Sequence, residues 1–211
     1  MDATRLYLAR HGQVVGHHEF RYNGQSDVGI TDLGRAQMLR LADFLSVRDI
    51  KAVYSSDLKR AYEGAAIIGE GLRLKPLQLP ALRELHLGRW EGLTREEAVE
   101  RYPEDAGFSF STIGKKRLSG GESITELGAR VLPAVRAVTR DHMGKHVCIV
   151  AHGGVNRVIL CDAMGLGLEN FFKVEQDYGC LNLIDYFSDG TSVVKMLNGG
   201  PNQEFASTKV Y

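Results

Sequence analysis

The sequence predicts an α/β domain: a three-layer α/β/α sandwich on a mainly parallel central sheet with an antiparallel edge. Three observations carry that expectation. Short apolar strands alternate with helical stretches as far as Met164. Three strands run directly into polar sets, Arg10-His11-Gly12, Ser55-Ser56-Asp57 with Arg60, and His152-Gly153-Gly154. Two late apolar runs, Leu181 to Phe187 and Ser192 to Leu197, flank Gly190 and read as a hairpin at the sheet edge.

The elements follow in order. Arg5 to Ala9 is a strand, and residues 13–30 are polar, glycine-containing and loop-like. Thr31-Asp32 caps a helix from Leu33 to about Val47, whose apolar positions follow the helical period loosely. Ala52 to Tyr54 is a strand, and Ser55-Ser56-Asp57 is expected to cap a helix from Leu58 to Gly69. Leu77 to Leu79 offers a short strand. The stretch from Ala81 to Gly121 is less regular and holds one helix, Thr94 to Arg101, opened by a Thr94/Glu97 capping box. Glu122 to Asp141 has a helical period with Pro133 inside it, expected as a kink. Val147 to Ala151 is the clearest buried strand, and a helix follows it to Met164. The whole reads as a single domain over residues 1–211 with a small cap insertion around 85–121.

Composition narrows the function. The 211 residues carry 26 basic and 26 acidic side chains, 44% hydrophobic and 25% charged residues. Zero net charge argues against a general nucleic-acid or membrane-surface binder, which normally carries a basic excess. Three widely spaced cysteines, Cys148, Cys161 and Cys180, fit neither a disulfide framework nor a thiolate zinc site. No run approaches the ~20 apolar residues of a membrane span, and the first nine residues lack a secretory apolar core. The expected compartment is the cytoplasm.

The chemistry concentrates at the strand ends, where open α/β sheets place their sites. His11 follows an apolar strand and precedes Gly12, so the chain can turn and another group can approach. Arg10 beside it keeps its charge and offers the forked donors that match phosphate. An imidazole next to a fixed cation resists protonation, and a neutral imidazole can attack phosphorus. His152 repeats the pattern, with Gly153 and Gly154 opening a helix whose N-terminal amides suit an anion. Read singly, each of these residues has an ordinary structural alternative: a core histidine, a packing glycine, a solvated Arg60, a surface Glu84. A carboxyl near a phosphate dianion is pushed toward its protonated form, which would suit Glu84 to general-acid work. His142/His146 and His17-His18-Glu19 have metal-like spacing but sit where helix-end or surface roles are commoner.

Together these residues resemble the histidine phosphatase superfamily, the phosphoglycerate mutase-like fold. The resemblance runs from Arg5 to about Leu197. It rests on Leu8-Ala9-Arg10-His11-Gly12, on Ser55-Ser56-Asp57-Leu58-Lys59-Arg60-Ala61, on the stretch from Leu82 through Glu84 to Gly88-Arg89-Trp90-Glu91-Gly92, on Gly120 to Ser123, and on Ala151-His152-Gly153-Gly154. The resemblance implies that His11 becomes a phosphohistidine, that Arg10, Arg60 and His152 hold the phosphoryl oxygens, and that Glu84 is the general acid and base. It implies no metal and no cofactor. Substrate contacts would come from Gln13, His17, Asn23, Gly24 and Gly153. The pattern departs from the family where His17 replaces an asparagine and Gly29 a proline, which leaves the leaving-group contacts of this loop open.

Within the family, the 68 residues from Glu84 to His152 leave room for only a modest cap. That favours water access and hydrolysis, as in small bacterial phosphatases such as α-ribazole-5′-phosphate phosphatase and the broad-specificity sugar-phosphate or phosphoserine phosphatases. The basic run Lys115-Lys116-Arg117 is the counter-indication, since it would suit an acidic substrate of a mutase. A silent phospho-ligand or protein-binding module on the same fold is the third alternative. The expected partner is a small phosphorylated metabolite. A homodimer through the edge hairpin and a role for the tail from Gly199 to Tyr211 in closing the site stay open.

Overall fold

A computed structural model of the chain describes residues 2–108 and 117–200. Strand β1 (Ala3–Arg10) pairs in parallel with β4 (His146–Ala151), with Leu8 opposite Ile149 and Arg10 opposite Ala151. β2 (Ile50–Ser55) lies beyond β4, also in parallel, and β3 (Leu77–Gln78) adds a two-residue edge. On the other side of β1 comes β5 (Leu181–Phe187), antiparallel to it, and then β6 (Ser192–Gly199), antiparallel to β5. The order is β3-β2-β4-β1-β5-β6. The turn between β5 and β6 places Gly190 at φ 88°, which a residue with a Cβ rarely adopts.

Side-chain alternation along the central strands builds the three layers. Leu6 and Leu8 of β1 join Val147, Ile149 and Ala151 of β4 on one face. There they meet Leu127 and Val131 of α4 (Ile124–Asp141) and Val155 and Ile159 of α5 (Gly153–Ala163). Tyr7, Ala9, Cys148 and Val150 point to the other face, against Met38 and Leu41 of α1 (Asp32–Ser46) and Ala65 and Ile68 of α2 (Lys59–Leu72). Each fully buried aliphatic side chain contributes about 1.5–3 kcal/mol relative to exposure. A one-residue slip of β1 would swap its two faces, so this burial fixes the register that sets Arg10 beside Ala151.

Helix ends mostly follow the local signals. Thr31 accepts the Gly34 amide at the start of α1, and α3 (Arg95–Arg101) carries the Thr94/Glu97 capping box. α4 starts at Ile124, with Ser123 and Glu126 forming a second box. α4 runs as one helix through Pro133, and both Pro133 and Ala129, whose carbonyl loses its donor, lie on the exposed side. One expectation is corrected. Ser55-Ser56-Asp57 does not supply a side-chain N-cap to α2: Leu58 holds that position, and Asp27 from the 13–30 loop accepts the Lys59 amide at 2.6 Å. Asp57 instead pairs with both arms of Arg83 at 2.7 and 2.5 Å.

The insertion between α2 and α4 includes α3 and packs around Trp90, which is fully buried. The indole ring meets Tyr22 and Phe108 at 5.1 and 5.4 Å, and its N–H donates to Asp105. Tyr22 also exchanges backbone hydrogen bonds with Gly92 and Leu93, so the 13–30 loop and the insertion form one wall. Lys115, Lys116 and residues 201–211 lie outside the described residues, while Arg117 pairs with Glu126 at 2.9 Å. The three cysteines are buried and unpaired. Among the described residues no helix is long and apolar enough to cross a membrane.

Candidate active site

The parallel register places the ends of β1, β4 and β2 side by side. His11 leaves β1 by donating its amide to the Ala151 carbonyl at 3.0 Å. Its ring Nδ1 lies 2.8 Å from the carbonyl of Gly12. A carbonyl only accepts, so Nδ1 carries the proton and Nε2 presents a lone pair. Burial, then Arg10 and Arg60, hold the His11 pKa well below the ordinary 6.5 and keep the ring neutral. Gly12 is required for close approach, but the approaching group is α1: a Cβ at Gly12 would lie 2.3 Å from the Gly34 carbonyl oxygen.

Arg10 donates through Nη1 to the Gln176 carbonyl at 2.5 Å, lies over the Tyr178 ring at 4.1 Å, and has a buried Nε without a hydrogen-bond partner among the described residues. Arg60 is only 2% exposed, unlike a solvated helix residue. Its two arms donate to the Gly24 and Ser26 carbonyls at 2.6 and 2.7 Å, which fastens the 13–30 loop over the strand ends. The His152 ring stands 5.1 Å from that of His11, with Nε2 2.6 Å from Ser56 Oγ. Burial, then Arg60, His11 and Arg10, push its pKa well below 6.5 as well.

Glu84 closes the group from the insertion side. Oε1 accepts the Leu85 amide at 2.8 Å, and Oε2 accepts the Gly154 amide at 3.0 Å. A Cβ at Gly154 would come within 2.3 Å of Oε1, so only glycine leaves room for the carboxylate there. The two helix N-termini expected to make the crevice positive therefore already have protein acceptors at one amide each, Gly154 on Glu84 and Lys59 on Asp27.

Arg10, His11, Arg60 and Glu84 converge on one cavity of about 500 Å³, and Asn23 and Gly24 also line it. Three expected contact residues, Gln13, His17 and Gly153, do not, and neither does the fully buried His152. Gln13 is half-buried, with its amide oxygen on the Thr31 hydroxyl at 3.0 Å. Gly16, at φ 75°, leads the chain into a single 3-10 turn that leaves His17 exposed and stacked on His18. Gly153 packs beneath the arginines: its Cβ position is 3.1 Å from Arg157 and 3.6 Å from Arg10. His142 and His146 contact different tyrosines, Tyr54 and Tyr7. The arrangement offers a neutral ring nitrogen, fixed cations and a carboxylate around one pocket, which suits transfer of a phosphoryl group.

The family model described as "Histidine phosphatase superfamily (branch 1)" matches residues 6–199. This chain belongs to that superfamily. "Phosphoserine phosphatase 1" of Hydrogenobacter thermophilus is 30% identical over 195 residues, covering 92% of each chain. "Glucosyl-3-phosphoglycerate phosphatase" of Mycobacterium tuberculosis is 32% identical over 179 residues, covering 81% of this chain and 80% of the relative. The native structure of the mycobacterial glucosyl-3-phosphoglycerate phosphatase superposes with a TM-score of 0.85 at 28% identity, covering 94% of this chain and all of the other. The alpha-ribazole phosphatase of Shigella flexneri shares the fold, with a TM-score of 0.85 at 24% identity over 92% of this chain and 96% of that one.

This histidine phosphatase family member also uses residues that motif reading passed over. Arg130 donates to the Glu84 carbonyl at 2.9 Å and to that of Ala81 at 2.8 Å, and Glu122 holds it at 2.8 Å. Gln25 donates to the same Glu84 carbonyl. Glu122 belongs to the Gly120–Ser123 motif, so a signal existed; Arg130, on the next helix, gave none. Beyond the strand ends the cavity wall turns apolar, with Tyr22, Leu85, Leu87, Phe108, Phe171 and Phe172. Arg21, Arg95 and Arg157 stand among them.

Proposed function

We propose that the protein is a phosphomonoesterase that hydrolyses a small phosphorylated metabolite through a phosphohistidine on His11. The observation that carries this reading is the His11 ring itself: neutral, with Nδ1 committed to the Gly12 carbonyl and Nε2 left as the free nucleophile in a cavity lined by Arg10 and Arg60. Nε2 attacks phosphorus and the ester P–O bond breaks. Glu84 gives its proton to the departing alkoxide. Arg10, Arg60 and His152 stabilise the charge spread over the phosphoryl oxygens. Water then attacks the phosphohistidine, loses a proton to the Glu84 carboxylate, and restores His11 with release of phosphate. The cations already on the chain supply the charge stabilisation, so no metal or other cofactor enters the scheme.

Hydrolysis is favoured over mutase transfer by the short insertion and by relatives whose names are those of phosphatases. The same names support a small phosphorylated substrate of the phosphoserine or glucosyl-phosphoglycerate kind, and α-ribazole phosphate joins them on the motif resemblance. A relative from Arabidopsis thaliana named "Phosphoglycerate mutase-like protein 4", 38% identical over 160 residues, keeps the transferase as the second reading. The test is turnover of p-nitrophenyl phosphate without added metal, followed by a screen of these esters scored by kcat/KM. Wild-type protein should release phosphate, and His11→Ala should lose at least about 10⁴-fold in kcat. Normal hydrolysis by His11→Ala would end the reading. Transfer between 2- and 3-phosphoglycerate without net release would replace it with the mutase.

A further inference from the structure

We infer that Ser56 is a positioning residue that fixes the tautomer of His152, holding its proton on Nδ1 so that the ring faces a phosphoryl oxygen as a donor. This rests on the phosphatase reading for its consequence, but its physical basis is separate. Ser56 is fully buried, and its Oγ lies 2.6 Å from His152 Nε2 and 3.3 Å from the Leu58 amide nitrogen. The Leu58 N–H is a donor, so it occupies a lone pair of the hydroxyl and leaves the hydroxyl proton to be placed. His152 Nε2 is the acceptor beside it. If Ser56 donates there, Nε2 carries no proton and Nδ1 does. If the ring donated instead, the hydroxyl proton would be buried with no acceptor among the described residues, which is unfavourable.

The far side of the ring agrees. Among the described residues His152 Nδ1 is buried without a hydrogen-bond partner, and so is Nε of Arg10, whose guanidinium lies against the adjacent Gly153. Arg10 and His11 line the cavity, while His152 is fully buried and reaches it through its contact with the His11 ring. Each of these buried groups calls for an acceptor, and an anionic oxygen is a ligand that can supply one. A neutral His152 has a single proton to offer, so its placement decides whether the ring is a donor or an acceptor toward that oxygen. An acceptor lone pair facing a phosphoryl oxygen would be repelled. The second serine of the Ser55-Ser56 pair thus serves the histidine that follows the neighbouring strand as well as the Leu58 amide at the head of its own helix.

The test uses full-length, 15N-labelled protein and two readouts. Long-range 1H–15N spectra report the tautomer of each histidine, with the His152 signals assigned through His152→Asn. Wild-type His152 should show the Nδ1–H form, and added inorganic phosphate should shift that Nδ1. Ser56→Ala should mix the tautomers and lower kcat on p-nitrophenyl phosphate about tenfold, with a smaller change in KM. Ser56→Thr, which restores the hydroxyl, should recover both. A wild-type Nε2–H form, or Ser56→Ala with an unchanged tautomer, overturns the inference. So does a Ser56→Ala loss of activity that Ser56→Thr fails to recover while both variants keep the wild-type tautomer. Absence of wild-type phosphatase activity would overturn the proposed function instead, and the spectra would still decide the tautomer.

Discussion

The inner and outer halves of the cavity are built by different means. The inner half hangs on the central sheet: His11 follows β1, His152 follows β4, and each ring has one nitrogen tied to a named partner. Its charged groups are tied to the backbone: the buried Arg60 donates to the Gly24 and Ser26 carbonyls, and the half-buried Glu84 accepts the Leu85 and Gly154 amides. The outer half is made of loop and insertion, with a polar rim secured by exposed ion pairs such as Arg21 with Glu97. Such exposed pairs are screened by solvent and hold their partners only loosely. The contrast teaches where precision resides. The groups proposed to meet a phosphorus atom are fixed by strand register, whereas those proposed to meet the rest of the substrate sit on elements that a few substitutions can reshape.

The largest effect that probes this division is expected at Arg60. Arg60→Ala should cost about 10²–10³-fold in kcat/KM for any monoester, because it removes a fixed donor from the developing charge and releases the 23–26 loop. Arg60→Lys should not restore it, since an ammonium cannot bridge the Gly24 and Ser26 carbonyls as the two guanidinium arms do. Recovery by lysine would mean that charge alone, and not the fork, matters in the inner half.

Gly154→Ala comes next. Its Cβ would displace Glu84 Oε1, so kcat should fall about 10²-fold on alkyl phosphates, which need a proton on the leaving oxygen. Esters of p-nitrophenol leave without such help and should lose much less. Equal losses on both substrate types would remove Glu84 from the acid role.

The pH dependence tests the buried pair of rings. Both histidines have depressed pKa values in the folded state, so neutral His11 persists below the ordinary 6.5 and the acid limb of kcat/KM should lie under that value. Stability has the matching sign. As pH falls through 6.5 the unfolded chain takes up protons that the folded chain refuses, and the denaturation midpoint should drop there while staying level above. A midpoint that rises on acidification would contradict burial of neutral rings.

The smallest effect belongs to the outer half. Leu87→Ala should leave the maximal rate on p-nitrophenyl phosphate within about threefold, yet change the ranking of substrates by kcat/KM about 10-fold through lost apolar contact. A uniform loss across all esters would place Leu87 with the inner machinery and erase the distinction between halves.

The inner half was also the more legible in sequence. Strand ends carry recognisable sets, and Arg10, His11, Arg60 and Glu84 were named from them together with the order of the motifs. The outer half was not legible, and His17 shows why. Its place in a motif suggested a phosphate contact, but the turn after Gly16 leaves it in solvent. The start of α2 shows the same limit for secondary structure: Ser55-Ser56-Asp57 read as its cap, but Leu58 holds that position and Asp27 from a distant loop accepts the Lys59 amide.

Sequence by itself determined the alternation of strands and helices, the capping of α1 and α3, and the residue types that gather where strands end. Those follow from short-range periodicity and from chemistry that each residue carries with it. Only the tertiary structure decided which groups hold one another: Ser56 on His152, Gly154 on Glu84, Arg130 and Glu122 behind Glu84, and Gln176 on Arg10. These contacts join residues 46 to 166 positions apart, apart from the nearby Glu122–Arg130 pair. Burial of apolar faces sets the strand register that brings them together, and no local pattern in the chain encodes that outcome.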